Sequence, residues 1–217
     1  MSRLVDDQIP EGVIERLPLY LNALIQLRQE GEPIASSAVL GALSETNPAQ
    51  IRRDLTHFGS FGKRGIGYDT VTLIDRIQKI LGSDHTHRVA LVGGGHLGQA
   101  IASHDGLPRH GFHLSAAFDT DPHKVGTAIG DAFIQDVTEL ERTITDQSIR
   151  IAVMAVPPKA AQEVADRLVA AGVRVIINYT PQIVKVPPEV TLHNTDPVQE
   201  LLHTLYYLSR QEGVAHA

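Results

Sequence analysis

The feature that most constrains the fold of this chain is the stretch Val89-Ala90-Leu91-Val92-Gly93-Gly94-Gly95-His96-Leu97-Gly98. An apolar, β-branched run leads directly into glycines spaced G-x-G-x-x-G, and the residues from Leu97 onward favour a helix. In such a turn the first glycine permits a sharp bend, the second lets the backbone approach a phosphate, and the third lets the helix pack closely on the strand. Because a helix N-terminus attracts anions, the stretch predicts a site for a pyrophosphate. The expected binding residues are Gly93, Gly94, Gly95, His96, Leu97 and Gly98.

A carboxylate stands where a dinucleotide-binding fingerprint requires one. A second apolar run, from Leu114 to Phe118, ends at Asp119, about 20 residues after the last glycine. A carboxylate there accepts hydrogen bonds from a ribose diol and repels a 2′-phosphate, so the sequence predicts NAD(H) rather than NADP(H), with Asp121 as a neighbouring candidate. The alternative is a structural glycine turn in another α/β domain, because any glycine-rich loop can match the pattern by chance.

The chain has 217 residues, enough for one large domain or two small ones. Since the glycine turn begins near position 90, the preceding segment is too long for an arm, and two domains are expected. The absence of cysteine rules out disulfides, thiolate metal sites and a cysteine nucleophile. No apolar run approaches the roughly 20 residues of a membrane helix, and the acidic N-terminus does not resemble a secretory signal. These features predict a cytoplasmic protein that does not bind membranes.

The net charge of −6 argues against a nucleic-acid partner unless a local basic patch exists. Residues 1–84 contain nine lysines and arginines against eleven aspartates and glutamates. Residues 46–68 are the exception, with four cations and one anion. The cations are Arg52, Arg53, Lys63 and Arg64, and the anion is Asp54.

The pattern before that patch predicts a series of short helices. Apolar residues recur at helical spacing from Leu17 to Leu27, with Pro18 expected in the first turn and Gly31 at the end. Ser36 is expected to cap a second helix that runs to Leu43, and Asn47-Pro48 to begin a third. Two helices joined this tightly form a helix-turn-helix, whose second helix can enter a major groove.

The third helix has two distinct faces. Ile51, Leu55 and Phe58 form an apolar stripe, and Arg53 points almost directly away from it. Arginine can bind guanine and glutamine can bind adenine, while a cation at the side suits phosphate. A solvated helix face with two arginines is the alternative.

A basic hairpin follows. Residues 59–68 alternate glycines with aromatic, apolar and basic residues, as expected of a small β-hairpin with cations near its tip. A helix-turn-helix followed by such a hairpin is a winged helix. The expected DNA contacts are Gln50, Arg52, Arg53, Thr56, His57, Ser60, Lys63 and Arg64. A further helix from Val71 to Leu81 ends at Gly82, and the His85-x-His87 pair in the following linker lacks the companions that a metal site needs.

The C-terminal half alternates strands and helices, which predicts a doubly wound parallel sheet. Strands are expected over residues 132–134, 151–156 and 173–177, and helices over residues 137–144 and 159–171. Ligands of such sheets bind at the carboxyl ends of the strands. The further cofactor-binding residues expected at these ends are Ala155, Val156, Pro157, Asn178, Tyr179 and Thr180. An apolar niche there disfavours the cationic oxidised nicotinamide, so NADH is expected to bind tighter than NAD⁺.

Several stretches resemble the Rex family of redox-sensing repressors. They are Gln50-Ile51-Arg52-Arg53-Asp54-Leu55, Phe58-Gly59-Ser60-Phe61-Gly62-Lys63-Arg64-Gly65-Ile66-Gly67-Tyr68, Phe118-Asp119-Thr120-Asp121-Pro122-His123-Lys124-Val125-Gly126, Ala155-Val156-Pro157 and Asn178-Tyr179-Thr180-Pro181. The resemblance covers nearly the whole chain and implies a repressor that NADH releases from a palindromic DNA operator.

The last segment is expected to hold two subunits together. From Val198 onward the apolar residues Leu201, Leu202, Leu205, Tyr206 and Leu208 form a stripe too wide for one surface contact, after Asp196-Pro197 as cap and first turn. The resemblance implies a homodimer in which this helix crosses to the other subunit. The alternative is a helix that packs on its own sheet.

The sequence departs from the family pattern at Asn22, His104 and Pro197, where the family often has arginine, tyrosine and an aromatic residue. The resemblance associates these positions, together with the matching Asp196, with coupling between the cofactor and DNA. A pair between His104 and Asp196 across the dimer would make the response pH-sensitive.

The sequence therefore predicts an α/β protein with three parts. These are a winged-helix DNA-binding domain (1–84), a Rossmann NAD(H)-binding domain (85–196) and a C-terminal, domain-swapped dimerisation helix (197–217). A non-enzymatic role is expected, because about 130 residues remain for the cofactor domain and leave no room for a substrate domain. The competing hypothesis is a nucleotide- or CoA-binding enzyme domain with an appended helical partner-binding module.

Overall fold

The computed structural model describes residues 9–59 and 66–211 of the chain, which divides into two units, Met1–His85 and Thr86–Ala217. The described elements of the first unit are α1 (Glu11–Gln29), β1 (Ile34–Ala35), α2 (Ser37–Leu43), α3 (Pro48–Thr56), β2 (Tyr68–Asp69) and α4 (Thr70–Leu81).

Helix α1 begins earlier than the sequence predicts. Pro18 lies inside the helix rather than in its first turn, which begins at Glu11 after Pro10. An interior proline removes one backbone hydrogen bond, but Pro18 and Ile14, the residue whose carbonyl loses its partner, lie on the exposed side of α1. Water can therefore donate a hydrogen bond to the Ile14 carbonyl in place of the missing N–H. The burial of Leu17, Tyr20 and Leu24 on the other side of α1 stabilises the helix on both sides of the proline.

The predicted helix-turn-helix is confirmed. Ser36 Oγ accepts a hydrogen bond from Val39 N (3.1 Å), and Asn47 Oδ1 accepts one from Ala49 N (2.8 Å), so both short helices have the expected caps. Leu40 of α2 and Ile51 of α3 are buried in one core with α1 and α4.

Of the predicted hairpin over residues 59–68, only Gly59 and the last three residues are described. Tyr68 begins β2, which pairs antiparallel with β1, with Ala35 opposite Tyr68. The sequence did not indicate β1. Residues 60–65, which include the tip of the predicted hairpin and the candidate DNA contacts Ser60, Lys63 and Arg64, lie outside the described residues.

The second unit contains a seven-stranded sheet and its helices. The elements are β3 (His87–Val92), α5 (His96–Ala102), α6 (Gly106–Arg109), β4 (Phe112–Asp119), β5 (Ala128–Ile129), β6 (Ala132–Asp136), α7 (Leu140–Asp146), β7 (Ile151–Met154), α8 (Ala161–Ala170), β8 (Val175–Asn178), β9 (Thr191–Asn194) and α9 (Pro197–Gln211), with short 3-10 turns at Val137–Glu139 and Pro158–Ala160.

The strand order is β5-β6-β4-β3-β7-β8-β9, and all neighbours are parallel except β5 and β6. Counted from β3 and without β5, this is the order 3-2-1-4-5-6 of the doubly wound dinucleotide-binding fold. The direction of winding reverses between β3 and β7, so the crevice for a ligand opens where these two strands end. The predicted Rossmann architecture is therefore confirmed.

Three details differ from the prediction. β5 and β9 are short edge strands without a clear alternating pattern, and the sequence did not indicate them. β7 ends at Met154, because after Ala155 N bonds to Val92 O (2.8 Å) the chain leaves the sheet toward Pro157. The predicted helix over 137–144 is a 3-10 turn followed by α7.

Two apolar clusters cover the two faces of this sheet. One joins Phe118 and Met154 to α7 and α8, and the other joins Leu91 and Ile134 to the α5 side. Among the described residues no helix is long and apolar enough to cross a membrane.

Candidate functional site

The glycine turn between β3 and α5 has the tight geometry that its sequence predicts. Gly93 has φ of 104°, a conformation that L side chains rarely adopt, and a Cβ there would lie 2.3 Å from Ala155 O. A Cβ on Gly98 would lie 1.9 Å from Gly93 O. These two glycines therefore bring the turn against the next strand and α5 against the turn, as predicted.

Gly95 differs from its neighbours because nothing lies within 4 Å of the position that its Cβ would occupy. It precedes the first residue of α5, where backbone N–H groups have no partner within the helix. The position predicted to face a phosphate thus borders open space, and a side chain there would fill that space. His96 and Leu97, in the first turn of α5, are both exposed.

Asp119 ends β4 beside this turn. Its Oδ2 accepts hydrogen bonds from Gly94 N (2.8 Å) and Lys124 Nζ (2.9 Å), and its Oδ1 accepts one from Asp121 N (2.9 Å). Burial acts to raise the pKa of the Asp119 carboxyl, but these hydrogen bonds outweigh it and hold the pKa below its ordinary value. The carboxylate is thus ionised at neutral pH and suited to accept hydrogen bonds from hydroxyl groups.

Lys124 and Ile134, which lie near Asp119 and Gly94, were not among the binding residues expected from the sequence. Lys124 pairs with the carboxylate, and a Cβ on Gly94 would lie 2.6 Å from Ile134 Cδ1. The sequence signals for Lys124 were its place five residues after Asp119 and its position in the stretch 118–126 that resembles the Rex family. Asp121 stabilises the local turn, since its Oδ1 accepts a hydrogen bond from His123 N (2.9 Å).

The loop after β8 is organised by the buried Asn178. Its Nδ2 donates to Thr180 O (3.3 Å), Gln182 O (3.2 Å) and Asn194 Oδ1 (2.9 Å), while its Oδ1 accepts from Thr180 N and Thr180 Oγ1. Asn178 and Thr180 therefore shape the loop. Tyr179 between them is half-buried.

The predicted cofactor-binding residues thus lie at four strand ends of one sheet edge. Ala155 and Val156 are half-buried and Pro157 is exposed. Because β3 and β7 are neighbours, the glycine turn and the Ala155-Val156-Pro157 segment lie side by side. No group of three or more histidine, cysteine, aspartate or glutamate side chains within 9–59 and 66–211 could hold a metal ion.

In the first unit, the exposed face of α3 carries the predicted reading residues. Ile51 and Leu55 are buried, Arg53 is exposed, and Thr56 and His57 are exposed beside it. Arg52 Nη1 donates to Ser37 Oγ (2.8 Å), so this arginine links α3 to α2. The face is polar and hydrogen-bonding, as a major-groove contact requires.

Under this face lies a buried carboxylate, Asp54, which is 1% exposed. Arg16 donates to both of its oxygens (Nε to Oδ2 2.7 Å, Nη2 to Oδ1 2.9 Å), and Tyr20 OH donates to Oδ2 (2.6 Å). Gln50 Nε2 donates to Oδ1 (2.6 Å). Burial acts to raise the pKa of Asp54, but these donors together lower it. The sequence did not indicate this network, because Arg16 and Tyr20 lie 38 and 34 positions away.

The residues predicted to couple the cofactor to DNA make local hydrogen bonds or are exposed. His104 is exposed, and its Nδ1 accepts a hydrogen bond from Gly106 N (3.0 Å). Asp196 Oδ1 accepts one from Val198 N (2.9 Å) and caps α9 as predicted. Asn22 is an exposed residue of α1.

The apolar face of α9 remains exposed in the single chain. Seven large side chains are between 47% and 65% exposed: Val198, Leu201, Leu202, Leu205, Tyr206, Tyr207 and Leu208. The alternative that this face packs on the chain's own sheet is therefore wrong for the described side chains.

Comparisons with known proteins agree with the two units. Residues 84–182 match the family model of a CoA binding domain, and residues 8–56 match that of a putative DNA-binding protein N-terminus.

Several relatives resemble the chain over nearly its full length. The redox-sensing transcriptional repressor Rex of Chloroflexus aurantiacus is 48% identical over 95% of this chain and 97% of that protein. The protein of the same name from Rubrobacter xylanophilus is 44% identical over 93% of each chain.

Solved structures of RSP, a Rex-family repressor, are also similar. Its complex with NADH has a TM-score of 0.83 at 35% identity and covers 95% of this chain and 97% of that one. Its complex with NAD⁺ and operator DNA has a TM-score of 0.85 at 37% identity, covering 94% of each chain.

Proposed function

The chain belongs to the Rex family of redox-sensing transcriptional repressors, and on that premise we propose that it is a repressor that NADH releases from operator DNA. The observation that carries this proposal is the presence of two kinds of site in one chain. A glycine turn with an ionised carboxylate lies in the second unit, and a recognition helix with an exposed arginine lies in the first.

NAD(H) fits the residues of the second unit. The open space at Gly95 suits a pyrophosphate, and the Asp119 carboxylate suits the hydroxyls of a ribose while repelling a 2′-phosphate. When bound, the nicotinamide supplies the redox signal, since its oxidised ring is cationic and its reduced ring is neutral. Ala155, Val156 and Tyr179 offer an apolar surface that favours the neutral form.

The first unit supplies the DNA contacts. Arg53 is assigned to a base edge in the major groove, with Thr56 and His57 on the same exposed face. Lys63 and Arg64, from the predicted wing, are assigned to phosphates or the minor groove. A homodimer built through α9 would present two such units to a palindrome with half-sites one or two helical turns apart.

Release by NADH is a thermodynamic coupling between two sites. NADH must bind one arrangement of the two DNA-binding units better than the other, and DNA must then weaken NADH binding by the same factor. Asn22, His104 and Asp196 are assigned to this coupling. Asp196 Oδ2 makes no hydrogen bond within the described chain, so it is available to His104 of a partner subunit. Such a pair would change the NADH response between pH 6 and pH 8, and an identical response at both values would exclude it.

We assign the chain no catalytic role and place it in the cytoplasm, where a DNA-binding repressor acts. The match of residues 84–182 to a CoA binding domain keeps a second candidate, a CoA- or nucleotide-binding domain with a helical partner-binding module. A DNA-binding measurement separates the two.

The test starts from a duplex that the wild-type protein selects from a randomised library. Arg53→Ala should lose about 1–3 kcal/mol of discrimination between this duplex and its single-base-pair variants, as expected for one bidentate base contact. Arg28→Ala, which removes an exposed arginine from α1, is the matched control and should bind like the wild type. Equal discrimination by Arg53→Ala and wild type would contradict the assignment of Arg53. Failure of the wild type to select any duplex would contradict the repressor function itself.

A further inference from the structure

The buried carboxylate Asp54 is connected to the exposed Arg53 through one intermediate side chain. Gln50 Nε2 donates to Asp54 Oδ1 (2.6 Å), and Gln50 Oε1 accepts a hydrogen bond from Arg53 Nη2 (2.7 Å). Gln50 lies half-buried on α3, between the core and the exposed face. The three side chains form one continuous hydrogen-bonded row along the helix.

We propose that Gln50 is a positioning residue for Arg53, and that it acts through that arginine rather than by contacting a base itself. The proposal rests on the proposed DNA-binding function and names which residue of α3 reads sequence and which one orients it.

The chemistry of Asp54 fixes the orientation of the Gln50 amide. An ionised carboxylate only accepts hydrogen bonds, and it has about four acceptor positions. Arg16 occupies two of them and Tyr20 a third, so the remaining position requires a donor. Gln50 must therefore point its NH₂ group inward. Its carbonyl oxygen is then directed outward, where it can accept only from a donor such as a guanidinium.

This arrangement limits the freedom of the arginine. Among the described residues, the Gln50 oxygen is the one hydrogen-bond partner of the Arg53 side chain. A planar guanidinium that is held at one Nη keeps a fixed fork for its remaining donors, which is the geometry that bidentate recognition of guanine needs. Holding the side chain in advance removes part of the entropy cost of binding.

The same row of bonds makes Gln50 a poor reader of adenine. A glutamine that contacts adenine uses both its donor and its acceptor on the base. In this chain both groups are already engaged within the protein, and breaking the bond to Asp54 would leave a buried carboxylate short of a donor.

The experiment compares Gln50→Met, Arg53→Ala and the double variant in the full chain, on the duplex that the wild type selects. Gln50→Met keeps the length and helix propensity of the side chain but removes both hydrogen bonds. Gln26→Met is the matched control, because Gln26 Nε2 donates to Glu30 Oε1 (2.9 Å) in an exposed i, i+4 pair of α1. Thermal unfolding of every variant verifies that the fold is retained.

Gln50→Met should lower discrimination at the base pair that Arg53 reads by about 3- to 10-fold, the range expected for freeing one long side chain. Binding to unrelated duplex DNA should not change. In the Arg53→Ala background, Gln50→Met should cause no further loss of discrimination.

Two results would overturn the proposal. One is an additive loss in the double variant, or a loss at a different base pair, which would make Gln50 a direct reader. The other is a Gln50→Met protein that discriminates like the wild type. If the wild type itself selects no duplex, the proposed function fails instead, so the two failures are distinguishable.

Discussion

The glycines of the turn between β3 and α5 differ in how much space surrounds them, in agreement with the different roles that the sequence motif gives them. Gly93 and Gly98 are required by the protein's own backbone, which a Cβ would contact at 2.3 Å and 1.9 Å, respectively. Gly95 has no such neighbour. A substitution at Gly95 therefore meets no protein atom, which gives a way to separate cofactor binding from stability.

We predict that Gly95→Ala folds like the wild type and binds NADH at least about tenfold more weakly, because the methyl group fills the space assigned to phosphate. Gly98→Ala should lose thermal stability as well as NADH binding, since overpacking against backbone typically costs about 1–3 kcal/mol. Calorimetric titration of NADH and thermal unfolding distinguish the two. NADH affinity of Gly95→Ala equal to that of the wild type would contradict the site.

The Tyr20 hydroxyl allows a second prediction at this scale. Burial and the hydrogen bond to Asp54 raise the pKa of Tyr20 to about 12. Because the neutral form is favoured in the folded protein, this stabilisation is complete below about pH 10 and is lost as the pH rises toward 12. Tyr20→Phe should cost about 1.5–3 kcal/mol at pH 7, the value of a hydrogen bond to a charged acceptor.

The measurement is urea unfolding of the full chain at pH 7 and pH 11, followed by circular dichroism. At pH 7 the free energy of unfolding of Tyr20→Phe should be lower than that of the wild type. Between pH 7 and pH 11 it should fall by less than that of the wild type. A variant as stable as the wild type at pH 7 would mean that the bond from Tyr20 to Asp54 contributes nothing.

At the scale of elements, the sequence predicts caps and glycine turns better than it predicts edge strands. Ser36, Asn47 and Asp196 each make the cap hydrogen bond expected of them, because these bonds join residues only two or three positions apart. β5 and β9 are held by pairing with distant strands and have no local signal. The predicted start of α1 was too late, because Pro18 was expected in the first turn and lies inside the helix. The burial of Leu17 and Tyr20 outweighs the hydrogen bond that the proline removes.

Helix α9 gives the prediction that belongs to this scale. Its exposed apolar face is expected to bury itself against a second copy of the chain. Leu205→Asp places one charge in each half of a two-fold interface. Because burial of one leucine side chain contributes about 1.5–3 kcal/mol and the interface loses two, dimerisation should weaken at least about 100-fold. Sedimentation velocity of the full chain measures this.

Leu19→Asp, which changes an exposed leucine of α1 (47% exposed), is the control and should leave the dimer intact. A Leu205→Asp protein that sediments like the wild type would mean that the dimer, if present, forms elsewhere.

For the whole molecule, the sequence identifies both sites but not the connection between them. The glycine spacing and Asp119 were visible because each lies within a short, regular distance along the chain. The Asp54 network was not, because Arg16 and Tyr20 reach it from another helix. Coupling is harder still to predict, since the pair proposed for it, His104 and Asp196, is expected to form only across two subunits.

Dinucleotide binding in one unit and DNA binding in the other are proposed to be thermodynamically coupled. The most direct test is a titration of the full chain, bound at fixed salt to the duplex it selects, with NAD⁺, NADH, NADPH and CoA. NADH should release the DNA at the lowest concentration, and the bound DNA should weaken NADH by the same factor that NADH weakens DNA. An unchanged DNA affinity with all four ligands would contradict the claim, and selective release by CoA would favour the CoA-binding alternative.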